Sequence, residues 1–202
     1  MRSVRRLLAS LAVILACAPV AGAQADTAGH HDNVATAITE TDGAHVSDFA
    51  WGISRQRGGD VVDQLNAAHA LASCTDCSAT AVAFQIVLVS GSPRTVAPRN
   101  IAEAINDRCT RCEVAAEARQ FVRVVDQPVR FTAEGTRELA DVRRDLRALV
   151  SEDISLADLH AAVERDEARV KSILNTELVP TSDPDTAPDV SQARTLQDAD
   201  LG

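Results

Sequence analysis

Apolar and polar residues alternate along the chain from position 33, after a short polar stretch at residues 26–32. In residues 33–39, β-branched residues alternate with alanines. The alternation resumes over 46–54, with two aromatic residues on one face. Between these segments lies Asp42-Gly43, a pair that readily adopts the positive φ angles of a tight turn. The pattern predicts a β-hairpin over residues 33–57, preceded by a linker.

The middle of the chain contains an internal repeat, visible when the sequence is shifted by 35 positions against itself. The two halves are residues 60–93 and 95–128, and each joins two alanine-rich segments through Cys-Thr-x-Cys. Alanine, glutamate and arginine in the second half favour helix, whereas residues 84–89 have the composition of a strand. Because a repeat implies one architecture, we expect helix, turn and helix in both halves; the alternative is a strand in the first half only.

The last third of the chain has helical periodicity. Thr132 is a suitable N-cap residue, and leucines and valines follow it at helical spacing. Ser155 and Asp158 have the spacing of a capping box, and a similar apolar stripe continues from there to about Leu178. The pattern predicts an antiparallel pair of helices within residues 132–179.

These elements together predict one α+β domain, residues 33–179. In it, an N-terminal β-hairpin precedes a mostly helical region that contains the Cys-Thr-x-Cys repeat and ends in the antiparallel helix pair. Residues 180–202 are rich in proline and aspartate, which is typical of a disordered acidic tail.

The start of the chain has the layout of an export signal. Three arginines precede the apolar run Leu7–Ala18, and small residues follow it, so that residues 1–25 are interpreted as a signal peptide cleaved before Asp26. The apolar run is too short to span a bilayer, and we expect a secreted protein without a membrane span. Two variants stay open: Arg5-Arg6 suits the twin-arginine route, and lipid attachment at Cys17 would anchor the protein to a membrane.

Charge excludes one class of partner. The chain has 20 basic and 29 acidic residues, and three of the basic ones lie in the signal peptide, which leaves the mature chain at −12. Such a chain repels phosphate backbones, so nucleic-acid binding is not expected. A protein or peptide partner remains open, as does the oligomeric state.

The four cysteines of the mature chain, Cys74, Cys77, Cys109 and Cys112, admit three interpretations. Export to an oxidising compartment favours structural disulfides. Of the three possible pairings, chain entropy favours bonds between the two motifs, at roughly 4 kcal/mol for a loop of about 35 residues against about 2 for a four-residue ring. A four-thiolate zinc site is the second interpretation. A redox pair is the third, and it requires that Cys77 and Cys112 each open a helix, whose dipole lowers the pKa of the thiol.

No motif of a known catalytic or nucleotide-binding site occurs in the sequence. His30-His31 are interpreted as solvated linker residues. His160 and Glu164, one helical turn apart, are interpreted as an exposed helix face rather than half of a metal site. We therefore expect a non-enzymatic protein without a cofactor, with zinc at the cysteines as the exception left open.

Several segments resemble an uncharacterised bacterial extracytoplasmic module, which is found as a stand-alone secreted protein and as the C-terminal tail of putative peptide zinc metalloproteases. The segments that carry the resemblance are Asn33-Val-Ala-Thr-Ala-Ile, Asp60-Val-Val-Asp63, Asn66-Ala-Ala, Ala72-Ser-Cys-Thr-Asp-Cys77, Ala83-Phe-Gln85, Cys109-Thr-x-Cys112 and Phe131-Thr-Ala-Glu-Gly135. The zinc domain of those proteases is not part of this chain, so the resemblance implies no protease activity. It implies a partnership with peptide processing or export.

The sequence thus predicts a secreted, disulfide-stapled binding or interaction module of the cell envelope. The alternative is a thiol redox or zinc-binding activity at the two Cys-x-x-Cys motifs.

Overall fold

The computed structural model describes residues 32–57, 59, 61–152 and 154–181. The predicted signal peptide, Cys17, His30-His31 and nearly all of the predicted tail lie outside these ranges. The strands are β1 (Asn33–Thr39), β2 (His45–Arg57), β3 (Val61–Val62), β4 (Leu65–Ala72), β5 (Ser78–Ser90), β6 (Thr95–Val96), β7 (Arg99–Asn106), β8 (Glu113–Val125), β9 (Val129–Phe131) and β10 (Leu178–Pro180), and the helices are α1 (Ala133–Ser151) and α2 (Leu156–Thr176).

The long strands form two parallel, three-stranded sheets that face each other. The first sheet has the order β1-β4-β7 and the second β2-β5-β8. Each turn of the chain adds one strand to each sheet, so that Asn33, Asn66 and Asn100 lie side by side, and β3 pairs with β6 in the same way. The architecture is a parallel β-solenoid of three turns. The predicted hairpin is wrong, because β1 and β2 pair with later turns and not with each other.

The predicted helices of the repeat are also wrong. β5 and β8 are strands of 13 residues each, so the fold is mostly β rather than mostly helical, and the alternative of one strand in the first half only is wrong as well. The reason lies in the space between the sheets. Facing strands bring Cα atoms within 8 Å of each other, closer than the roughly 10 Å usual for packed sheets. Inward-facing residues such as Ala79, Ala81 and Ala83 must therefore be small where the two sheets approach this closely, and alanine is selected by packing in spite of its helix propensity.

Alanines and cysteines line the space between the two sheets, and we call this set the alanine core. Its buried members are Ala35, Ala37, Ala68, Ala70, Ala72, Cys74, Cys77, Ala79, Ala81, Ala83 and Ala118. Larger apolar residues of the second sheet point the other way, toward the helices. The same strands thus present small residues on one face and large residues on the other.

The helices cover the outer face of the second sheet. Phe84, Ile86 and Phe121 of the sheet pack against α1 and α2 in the larger of the apolar cores. Both predicted helix starts are confirmed: the Thr132 side chain accepts a hydrogen bond from the N–H of Gly135, and Ser155 accepts one from the N–H of Asp158. Within the described residues, neither helix is long and apolar enough to cross a membrane.

The chain has three repeats where the shift of 35 positions showed two. That spacing holds for the pairing of Ser78 with Glu113, but β4 and β7 are related by 34 positions, and β1 and β4 by 33. The common signal is Asn-x-Ala-x-Ala, which begins at Asn33, Asn66 and Asn100. A search that allowed insertions of one residue would have found the third copy.

Candidate functional site: the open end and the cysteine turns

The two sheets of the solenoid are offset, which leaves a step at each end. β1 lies over both β2 and β5, and β4 lies over both β5 and β8, whereas β7 lies over β8 alone. The first sheet therefore protrudes at the end formed by β7 and β8, which we call the open end. The second sheet protrudes at the opposite end, formed by β1 and β2, which we call the capped end.

Exposure of the alanines shows that the open end is an unfinished core. Ala68 and Ala70 of β4 are 0% and 1% exposed, whereas their neighbours in β7, Ala102 and Ala104, are exposed along with every other residue of that strand. The side chains that face inward from β7 are uncharged. The open end therefore presents apolar core positions and the unpaired backbone edge of β7 to solvent.

Three inward-facing asparagines, one in each turn, form a ladder of side-chain hydrogen bonds that ends at the open end. The Asn33 amide nitrogen donates to the Asn66 carbonyl oxygen at 2.7 Å, and the Asn66 nitrogen donates to the Asn100 oxygen at 2.8 Å. Asn100 has no next asparagine, and its nitrogen donates to the backbone oxygen of Ala118 at 3.0 Å. Such amide ladders stabilise stacked parallel strands.

The capped end is closed by a charge. Asp48 of β2 lies beside Ala81 of β5, which in turn lies beside Ala116 of β8, so the three residues form one inward-facing row along the solenoid. One of its carboxylate oxygens accepts a hydrogen bond at 2.7 Å from the backbone N–H of Thr36 in β1. An inward-pointing charge on an edge strand opposes pairing with another strand, because pairing would desolvate it. The two ends of the solenoid thus differ in chemistry.

The cysteines lie in the turns that join the two sheets. Cys74 pairs with Cys77, and Cys109 with Cys112, at bonding distance for disulfides and with Cα–Cα distances of 6.1 and 5.9 Å. The pairing between motifs that chain entropy favoured is wrong. The backbone is the reason, since each Cys-x-x-Cys closes one tight turn that contains residues of positive φ, namely Asp76 and Arg111. In the first turn Asp42-Gly43 takes this place, and an Asp42 side-chain oxygen accepts a hydrogen bond from the Thr75 N–H.

Three cysteine sulfurs form one cluster. The Sγ atoms of Cys77 and Cys112 are 3.2 Å apart, and those of Cys74, Cys77 and Cys112 all lie within 4.8 Å of one another. If the disulfides were reduced, these thiolates would suit a soft or borderline ion such as zinc, whereas Cys109 is not part of the group. The helix required for a redox thiol is missing, because Cys77 and Cys112 each precede a strand.

The pairing within motifs has a direct test. Trypsin cleaves the oxidised protein after Arg94, Arg99 and Arg108, which separates the two motifs, and after Arg111 within the second motif. In non-reducing mass spectrometry we expect one peptide with an internal disulfide between Cys74 and Cys77, and a pair of peptides joined by the disulfide between Cys109 and Cys112. Replacing Cys109 and Cys112 with alanine should lower the free energy of unfolding by about 2 kcal/mol, the value for a four-residue ring. A disulfide that links the peptide containing Cys74 and Cys77 to a peptide containing Cys109 or Cys112 would contradict this pairing.

His160 takes part in a surface cluster of charges. Its Nδ1 lies 2.9 Å from Glu117 and its Nε2 lies 3.2 Å from Glu164. The hydrogen bond with Glu117 and the negative charges nearby raise the pKa of His160. Since carboxylates already engage both ring nitrogens, the arrangement is that of an ion-pair network on an exposed surface.

No family model, curated protein or solved structure matches this chain significantly. The class of the protein therefore follows from its own geometry: a three-turn parallel β-solenoid with a helical cover on one sheet.

Sequence reasoning found the cysteine turns but missed the open end and Asp48. The sequence signal for the open end is the third Asn-x-Ala-x-Ala motif, at Asn100, which is not followed by a fourth copy in the sequence.

Proposed function

We propose that this chain is an exported, non-enzymatic interaction module that acts through the open end of its solenoid, and that its partner there is a second copy of the same chain. The observation that carries the proposal is the exposure of Ala102 and Ala104, whose counterparts in the preceding turn are buried. An edge strand with uncharged inward residues is a template for pairing with another strand.

The offset between the sheets favours a second copy. Strands of the two sheets run in opposite directions, because short turns connect them. A copy rotated by 180° about an axis parallel to the strands places its own β8 beside β7, and its β7 beside β8, in antiparallel pairs. Both steps are then filled at once by a self-complementary contact, which closes into a dimer.

The capped end limits assembly to this dimer. A head-to-tail stack would bring Asp48 of one copy against the alanines of β7 in another, and the carboxylate would lose its contact with water while keeping only backbone N–H groups as hydrogen-bond donors. Closed dimers avoid this cost, since each copy keeps its capped end in water.

The test is the mass of the purified protein by sedimentation velocity over a range of concentrations. We expect a dimer for the unaltered chain and a monomer for Ala104→Lys, which places a charge on the inward face of β7. Ile105→Lys is the matched control, because Ile105 belongs to the same strand but points outward and is 39% exposed; it should stay dimeric. Amide hydrogen exchange of β7 should slow on dimerisation, while that of β1 should not.

Two results would contradict the proposal. A monomer at every concentration would exclude the second copy as partner. A dimer that Ile105→Lys disrupts and Ala104→Lys leaves intact would move the contact to the outer face of the first sheet.

Export and the link to peptide processing are further parts of the proposal. They rest on the signal-like segment 1–25 and on the resemblance to the module attached to peptide zinc metalloproteases. In this setting the disulfides would hold the two cysteine turns in an oxidising compartment.

A zinc-binding function at the cysteines remains the second candidate, and the sulfur cluster of Cys74, Cys77 and Cys112 favours it. Protein purified under reduction and then dialysed against zinc would retain the metal stoichiometrically if this function holds. Full oxidation that resists mild reductant would argue against it.

A further inference from the structure

A solvent-open groove lies between the outer face of β2 and α1, away from the open end. Its volume is about 430 Å³, in the lower part of the range of roughly 300–1,000 Å³ for small-molecule sites. Its apolar lining comes from Trp51 and Ile53 of the sheet, from Phe131, and from Leu139 of the helix. The groove is therefore a hydrophobic slot between two rigid elements.

Four arginines surround this slot in a protein that is otherwise acidic. They are Arg55, Arg143, Arg144 and Arg147. Of these four arginines, only Arg144 forms an ion pair with another described residue, namely with Asp141 at 2.8 Å. Arg55 and Arg147 instead lie over the rings of Phe131 and Phe49, at 5.8 and 5.7 Å from the ring centres. Within the part of the chain that the structure describes, carboxylates thus leave most of the positive charge at the groove unpaired.

We propose that this groove binds an amphiphilic anion, an acyl chain that ends in a carboxylate. The acyl chain would lie along Trp51, Ile53 and Leu139, and the carboxylate would be bound by Arg143 and Arg147. Guanidinium groups bind carboxylates through charge-assisted hydrogen bonds, and the apolar walls remove the acyl chain from water. The groove uses outward side chains of β2, whereas strand pairing uses backbone edges, so this site is independent of the proposed dimer.

Trp51 provides a direct measurement, because it is the only tryptophan in the chain and there is no tyrosine. Energy transfer from Trp51 to bound dansyl-undecanoate reports occupancy, and competition with dodecanoate gives its dissociation constant. We expect dodecanoate to displace the probe and dodecyltrimethylammonium, which has the same chain with the opposite charge, to fail.

The arginines have a matched control on the same helix. Arg143→Gln with Arg147→Gln should weaken dodecanoate binding by about tenfold or more, since a hydrogen bond to a charged group is worth roughly 1.5–3 kcal/mol. Arg137→Gln, on α1 outside the groove, should leave binding unchanged. The thermal midpoint of each variant shows whether it is folded.

Several outcomes would overturn the proposal. Equal displacement by the anionic and cationic amphiphiles would mean that the arginines do not select the ligand. Binding to phosphatidylglycerol vesicles without binding to free dodecanoate would assign the groove to a membrane surface. Binding only after deletion of residues 182–202 would assign it to the acidic segment of the chain itself.

Discussion

Replacing Asp48 with alanine is expected to convert a closed dimer into assemblies that grow with protein concentration. The substitution frees the Thr36 N–H and removes the inward charge, so that β2 matches the rows of Ala81 and Ala116 in the later turns. Both ends of the solenoid are then open, and each dimer can add further copies through its exposed first turn. An interface that does not close generates filaments. Sedimentation velocity, thioflavin fluorescence and electron microscopy would detect them.

Ser47→Ala is the control for this experiment. Ser47 precedes Asp48 in β2 but points outward and is exposed, so its substitution should leave the dimer unchanged. If Asp48→Ala remained a dimer at high concentration, the carboxylate would not be what closes the capped end. If it unfolded, its thermal midpoint would reveal this. Asp48→Asn, which keeps a hydrogen-bond acceptor for Thr36 but has no charge, would then separate the effect of losing the charge from the effect of losing the hydrogen bond.

Replacing Ala68 with leucine is expected to destabilise the protein by roughly 3 kcal/mol or more, at the upper end of the usual cost of overpacking. Ala68 is fully buried between the two sheets, where facing backbones leave no room for a larger side chain. The added atoms must push the sheets apart or take a strained rotamer. Urea unfolding followed by the fluorescence of Trp51 would measure the loss.

Ala102→Leu is the matched variant, because Ala102 lies directly beside Ala68 in the next strand. Ala102 is exposed at the open end, so in the dilute monomer the substitution should change the free energy of unfolding by less than about 0.5 kcal/mol. Equal losses for the two variants would mean that the open end is covered in the isolated chain. Tolerance of Ala68→Leu would contradict the close approach of the sheets.

The starts of the two helices could be predicted from residues that are close in the chain. Thr132 and Ser155 cap α1 and α2 as the sequence predicts, because a cap depends on residues three positions away. The alanine-rich segments show the opposite case. Residues 113–120 have helix-forming composition, yet they form part of β8, because their neighbours along the solenoid are 35 positions away in the chain.

The candidate site follows the same division. The Cys-Thr-x-Cys motifs are visible in the sequence, but their pairing within each motif depends on the turns that close there. Asp48 looks like an ordinary polar residue of an alternating strand. Only its position in the row of Ala81 and Ala116 makes it a cap.

The sequence by itself determined the helix pair and its caps, the repeat around the cysteines and the acidic character of the chain, because each depends on composition or on residues close in the chain. The tertiary structure decided the rest. Pairing between successive turns overrode the helix propensity of alanine, since the closely packed sheets accept only small side chains. The offset between those sheets decided that one end of the solenoid is open, and only the tertiary arrangement brought the four arginines around the groove beside Trp51.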